Sequence, residues 1–275
     1  MARVRIATSE DLSQIADLCR AAVGADDYVL RYLDEMLGGR TVVVVEEGGR
    51  IGAMAGLTEC ADRALWIGQM RTHPGYRRRG FARMLLEHAR TRAVREARPA
   101  LRLWAGGHNI ASRTLFETTG FREVASFTRM TAPALRGRAQ RSDMDTRGRR
   151  AYRMWRQGLY RRAGAGYLAY EWHFLPVSLR TTQMLAARGQ VFISGRAAVA
   201  AWVEEGDKTA YASILSGGRA GLVAARRIAG WHRRRRVEVF LPRHRTILAW
   251  ASQAGFVPAA WGRHAVLYER RVRRS

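Results

Sequence analysis

The chain has 275 residues, 47% of them hydrophobic and 26% charged, and carries a net charge of +25. That is the composition of a packed globular protein, with room for one large domain or two ordinary ones. It contains no apolar run long enough to span a bilayer, the first residues lack the apolar core of a signal peptide, Cys19 and Cys60 form no CxxC pair and the seven histidines are scattered. A reduced, cytoplasmic protein with no metal site and no membrane contact is therefore expected.

The charge is unevenly placed. Residues 1–130 hold 20 arginines against 15 acids, whereas residues 131–275 hold 28 basic residues against 8 acids. Such a surface suits a polyanion such as RNA. A codon bias toward arginine explains why Lys208 is the only lysine, but not why acids are scarce.

In chain order, 4–8 reads as a first strand, and Ser9 fits the N-cap of a helix whose buried stripe is Leu12, Ile15, Ala16 and Cys19. Asp26 or Asp27 opens a second helix through Met36, closed by Gly38 and Gly39. Strands follow at 41–45, 51–59 and 64–70. The third runs into a loop holding Pro74, Gly75, Arg77, Arg78, Arg79 and Gly80. A long helix comes next, with Ala82, Leu85, Leu86, Ala89, Ala93 and Ala97 at helical spacing. A strand at 101–105, a short helix at 112–119 and a strand at 121–130 complete this half. A strand–loop–helix junction aims free N–H groups and a positive helix end at one point, and Gly80 permits close approach, which suits a phosphate or pyrophosphate.

Arg77-x-x-Gly80-x-Ala82 after a strand and a proline loop resembles the acyl-CoA pyrophosphate loop of the GNAT acetyltransferase superfamily. Asn109, then Leu115-Phe116-Glu117, then Gly120-Phe121 also has that family's spacing. Together the two motifs make residues 1–133 resemble a GNAT domain, which implies an α/β (α+β) fold with a mixed twisted sheet flanked by helices.

Residues 134–150 are basic and without periodicity, and read as a linker. The remainder, 151–275, echoes the first half. MLGGRTVVVVEEGGRIGAMAGLTE (36–59) parallels MLAARGQVFISGRAAVAAWVEE (184–205), and 115–121 is echoed by 250–256, each ending in Gly-Phe. This predicts a second, degenerate GNAT-like domain. Its counterpart to the phosphate loop is only 216–221, His244 stands where Asn109 does, and a strand at 265–270 ends it. The aromatics between 151 and 180 are expected in packing rather than in a ligand cage.

The resemblance implies acetyl-CoA as cofactor and acetyl transfer to an amine, the acceptor being unspecified. Backbone groups of Met70, Arg71 and Thr72 would hold the pantetheine arm and polarise the thioester. Amides of Arg77, Arg78, Arg79, Gly80, Phe81 and Ala82 would hold the pyrophosphate, and Asn109 and Phe116 would contact the cofactor. Phe116 stands where many relatives carry a tyrosine that protonates the departing thiolate, so that donor is missing. Glu59 is the candidate general base, with His73 and His108 as alternatives. A non-catalytic CoA-binding regulator or a nucleic-acid-binding module is the competing reading.

Overall fold

The computed structural model describes residues 1–39, 41–136 and 143–272. Packing divides the chain into two units that are not contiguous halves: 1–103 with 111–122 and the residues from 268 onward, and 104–110 with 123–267.

In the first unit the order is β1 (Arg3–Ile6), α1 (Leu12–Ala22), α2 (Leu33–Gly38), β2 (Val42–Glu47), β3 (Arg50–Glu59), β4 (Leu65–Thr72), α3 (Phe81–Arg95), the start of β5 (Ala100–Gly106) and α4 (Ile110–Thr118). The strands lie in the order β1-β2-β3-β4-β5, antiparallel except for the parallel pair β4–β5. The four valines that open β2 are all buried, the mark of a strand covered on both faces. At eleven residues α1 is too short to persist alone. It is held by Ile15, Leu18 and Cys19, which pack with Leu33, Leu37, Val42, Val44 and Met54, each large aliphatic contributing roughly 1.5–3 kcal/mol.

Two helix starts differ from expectation. Thr8, not Ser9, is the cap residue before the first turn: its N–H donates to Asp11 Oδ2 at 2.8 Å, and Arg5 holds both Asp11 oxygens at 2.6 and 2.8 Å. The expected helix from Asp27 to Met36 is split. Asp27 caps a 3₁₀ turn, Tyr28–Arg31, by accepting the Val29 N–H at 3.2 Å, and α2 starts only at Leu33.

In the second unit the order is β6 (Arg122–Pro133), β7 (Asp143–Met144), α5 (Arg149–Gln157), α6 (Leu159–Ala163), β8 (Tyr167–Tyr170), β9 (His173–Pro176), α7 (Leu179–Ala187), β10 (Val191–Ser194), β11 (Ala197–Val203), β12 (Thr209–Ser216), α8 (Gly218–Trp231), β13 (Arg236–Pro242), α9 (Arg245–Gln253), β14 (Val257–Pro258) and β15 (His264–Arg271). Its sheet runs β6-β13-β12-β11-β10-β7, with β14 along β6, and β8–β9 is a separate hairpin. Leu222, Ala225, Ile228 and Ala229 of α8 pack with Val237, Val239 and Leu241 of β13 and with Ile247 and Ala251 of α9. The succession β-β-β-α-β-α from β10 to α9 repeats that from β2 to α4.

Chain order does not decide strand membership. The strand expected to close the first half, β6, pairs with β13 along residues 127–133 inside the second unit. The last residues of β15, from Tyr268, fold instead with the first unit. There Arg102 joins Glu269 (2.8 Å) and Asp62 (2.7 Å), and the Val272 N–H donates to the Pro99 carbonyl at 3.1 Å. Backbone ladders carry no residue identity, so an open sheet edge can be completed by a strand far off in sequence.

Within the expected linker at 134–150, residues 137–142 lie outside the described residues. The rest is not featureless: Asp143–Met144 pairs with β10, and Arg149 opens α5. The aromatics of 151–180 that were expected to pack do so in the second unit, Tyr170 against Trp202 (5.0 Å) and Trp172 stacked on Trp261 (5.8 Å, 15°). Among the described residues no helix is long and apolar enough to cross a membrane.

Candidate active site

The site begins where β4 stops being an ordinary strand. It pairs with β5 only at Leu65–Leu101 and Trp66–Arg102. On its other side the register to β3 shifts between Met54 and Gly56, and Gln69 takes a left-handed φ of 48°, the signature of a bulge. Beyond the bulge Met54 faces Arg71 and Ala53 faces Thr72, and the His73 N–H donates to the Gly52 carbonyl at 3.0 Å. Polar groups alternate sides along an antiparallel strand. The N–H of Arg71 therefore faces β3, while those of Met70 and Thr72 face the edge that β5 has left. Of the three residues expected to supply backbone groups there, two present them.

The loop after β4 is shaped by its own bonds. His73 Nδ1 accepts the Gly75 N–H at 3.1 Å, Pro74–Tyr76 forms a 3₁₀ turn, and the Arg77 N–H is used by the Pro74 carbonyl at 3.2 Å. Arg78 and Gly80 both have positive φ, 66° and 81°. The first helical bond of α3 runs from the Met84 N–H to the Gly80 carbonyl, at 3.0 Å. Among the described residues no acceptor is present for the N–H groups of Arg78, Arg79 and Gly80, and those of Phe81 and Ala82 are the orphan donors of any first helical turn. Arg77 is thus the one member of the expected run, 77–82, whose amide is already committed.

Packing fixes this loop in place. Tyr76 and Phe81 lie 5.2 Å apart over β3, and a Cβ on Gly52 would come within 2.5 Å of the Phe81 ring and 2.8 Å of the Tyr76 ring. Arg79 lies against both rings (5.2 and 5.5 Å) and is paired with Glu47 at 2.6 Å. Arg77 and Arg78 are exposed. A Cβ on Gly80 would meet nothing within 4 Å. An αL glycine facing open space, unbonded amides and a helix N-terminus fit a pyrophosphate.

Phe116 is buried and points inward, against Phe121 (6.2 Å) and edge-on to Tyr268 (5.6 Å, 68°). The Tyr268 hydroxyl donates to Glu117 Oε1 and accepts from Arg113 Nε, each at 3.0 Å. Arg270 donates to the Thr119 carbonyl at 2.5 Å. The end of β15 thereby anchors α4, and no local feature of the sequence signals this contribution.

The structure places Glu59 away from the bulge. The residue pairs with Leu65, at the opposite end of β4 from Met70 and Thr72, and its carboxylate is bound to Arg98. Five residues of strand are on the order of 17 Å, far outside the reach of a general base. A hairpin places the end of one strand beside the start of the next, not beside its far end. His73 lies at the loop, with Nδ1 engaged by Gly75. His108 and Asn109 are exposed and belong to the second unit, where the Asn109 N–H donates to the Gly106 carbonyl at 2.9 Å.

The strand-to-helix junction of the second unit, between β12 and α8, is shorter. Only Gly217 separates β12 from α8. A Cβ there would lie 2.6 Å from Ala197, and one on Gly221 would lie 2.4 Å from the Ser216 carbonyl oxygen. The ladder from β12 to β13 ends at Ala212–Val239. Beyond it, Ser213 and Ile214 of β12 and Phe240 and Pro242 of β13 face Tyr160, Tyr167 and Leu168, and Ser213 Oγ donates to the Ala169 carbonyl at 2.5 Å.

Residues 10–121 match the family described as Acetyltransferase (GNAT). The chain is 30% identical over 134 residues to a mycothiol acetyltransferase from Mycolicibacterium gilvum, 46% of this chain and 43% of that protein. It is 34% identical over 131 residues to one from Thermomonospora curvata, 46% and 42%. The matched span is thus less than half the length of either relative. In fold, a GCN5-related N-acetyltransferase from Sphaerobacter thermophilus is similar with a TM-score of 0.65 at 16% identity, covering 99% of this chain and 96% of that one. A second, from Anabaena variabilis, has a TM-score of 0.55 at 11% identity, covering 99% and 73%. With the bulged strand, the glycine loop and the helix start in the matched span, residues 10–121 are similar to the GNAT acetyltransferase family.

Proposed function

We propose that the chain transfers an acetyl group from acetyl-CoA to an amine, using one site in the first unit. The observation that carries this reading is the loop at 78–82: an αL Gly80 facing open space beside amides for which no acceptor is present among the described residues. Fixed backbone donors stabilise a pyrophosphate without reorganising, and do so better than mobile side chains. The relatives named as mycothiol acetyltransferases support acetyl transfer as the class of reaction, and the amine acceptor is part of the proposal.

When bound, acetyl-CoA supplies an activated thioester. The N–H groups of Met70 and Thr72 are the donors available to hold the pantetheine arm and polarise the carbonyl. Phe116 donates no proton, so the thiol leaves as thiolate; its pKa lies near that of free cysteine, about 8.5, which makes assistance dispensable. The two units are read as an acting copy and a second copy whose junction is shorter.

The test is calorimetric titration with acetyl-CoA, followed by turnover against a panel of amines. One site per chain is expected. Gly80→Glu, which puts a side chain and a negative charge at the anion position, is expected to abolish binding; binding that survives it overturns the reading. Binding without turnover on any amine favours the CoA-binding regulator.

A further inference from the structure

The strongest feature that the acyl-CoA reading leaves unexplained is a buried ion pair at the bulge. The Asp27 side chain is 0% exposed, and Arg71 meets both of its oxygens, Nε to Oδ2 at 2.7 Å and Nη2 to Oδ1 at 2.8 Å. The third nitrogen, Nη1, donates to the carbonyl of Met70 at 3.1 Å. Asp27 in turn accepts the Val29 N–H and so sets the 3₁₀ turn that precedes α2, and the Tyr28 ring lies 5.5 Å from the Arg71 guanidinium. Burial opposes charge on both groups, yet the Asp27 carboxyl is still held below its ordinary range, because the hydrogen bonds and charge of Arg71 outweigh desolvation.

A buried ion pair is poor evidence for stability, since an apolar pair of the same volume does as well. What a two-pronged pair supplies, and an apolar pair cannot, is direction. Here the direction matters. The peptide between Met70 and Arg71 is held on one side by the guanidinium and on the other by the ladder to β3. Its neighbours on either side are the N–H groups of Met70 and Thr72.

We infer that Asp27 is a positioning residue: acting through Arg71, it sets the orientation of the Met70–Thr72 backbone that receives the thioester end of acetyl-CoA. The inference rests on the acyl-CoA reading above. It separates the two ends of the ligand. The loop at 78–82, far from Asp27 in the bonding scheme, receives the pyrophosphate, and the bulge receives the thioester arm.

The experiment titrates the full chain with acetyl-CoA and with ADP, which carries the pyrophosphate but neither arm nor thioester. Asp27→Asn keeps the side-chain volume and removes the charge. It is expected to weaken acetyl-CoA by about tenfold or more, as for loss of a charge-assisted contact, while ADP affinity stays within about twofold, too small a change to signal a lost contact. Gly80→Glu is expected to weaken both. If Asp27→Asn does not fold, Asp27→Glu, which keeps the charge and displaces it by one methylene, is read in the same way. Loss of both ligands to an equal degree, or of neither, in whichever variant folds, overturns the inference alone. A wild-type chain that binds neither ligand overturns the acyl-CoA reading and this inference with it.

Discussion

Single side chains in this protein are committed in ways that decide what each can do. Glu59 is half exposed, at 51%, and joined to Arg98, which lies between α3 and β5. With the carboxylate half in water, solvent screening limits such a pair to about 1 kcal/mol. Glu59→Gln is therefore expected to leave kcat for amine acetylation within about twofold of wild type, less than the loss of a general base would cause, and to cost under about 1 kcal/mol in urea unfolding. A drop in kcat with an unchanged KM for acetyl-CoA would reinstate it as the base. Gly80 shows the opposite situation, a residue with no packing role whose value lies in the space it leaves.

At the scale of elements, two junctions with the same strand-to-helix order differ in length. Eight residues, 73–80, lead from β4 to α3 and leave amides unbonded, whereas a single glycine leads from β12 to α8. Gly217 has a φ of 97° and would carry its Cβ into Ala197. Gly217→Ala is expected to lower stability by about 1–3 kcal/mol, from strain and overpacking together, while acetyl-CoA affinity and the one-site stoichiometry stay unchanged. Equal loss of affinity would mean that the second junction also binds. The β8–β9 hairpin carries a pH dependence. Burial lowers the pKa of His173 from 6.5 to about 4. A histidine kept neutral in the fold binds its proton more readily when unfolded. Its effect is absent above pH 6.5, grows as pH falls toward 4, and destabilises by at most about 3 kcal/mol. His173→Gln is expected to flatten the decline in unfolding free energy across that window. A decline identical to wild type would mean that His173 is not buried as neutral imidazole.

At the scale of the whole molecule, the charge excess is only partly free. Among the arginines of the second half, Arg226 donates to the carbonyls of Pro133 (2.8 Å) and Ala254 (2.7 Å), Arg234 reaches the Glu204 carbonyl at 3.4 Å, and Arg236 reaches Thr209 at 2.9 Å. Arg227, Arg233, Arg235 and Arg245 are exposed. We propose RNA binding through this second group. Each phosphate neutralised adds roughly 0.7–0.9 to the slope of log affinity against log salt. Arg233→Gln with Arg235→Gln is expected to flatten that slope by about 1–2, leaving acetyl-CoA affinity intact. No binding at low salt, or an unaltered slope, would leave arginine-rich codon usage as the account of the charge.

Much of the first unit could be read directly from residue order. The αL glycine, the turn residues around Pro74 and the spacing of Leu85, Leu86, Ala89 and Ala93 are local, and local sterics and helical periodicity act on neighbours within a turn or two. The loop at 77–82 and the burial of Cys19 follow from such patterns. The Asp27–Arg71 pair spans 44 residues, Gly52 makes room for rings at 76 and 81, and Tyr268 reaches α4 from the end of the chain. No periodicity links such positions. The place of Glu59 is decided in the same way: residue spacing locates a side chain along its own strand, but only the ladder register decides which end of the next strand it faces. Membership of β6 and β15 followed the same rule, because strand pairing joins backbones and leaves no trace in the side chains that a linear pattern could show.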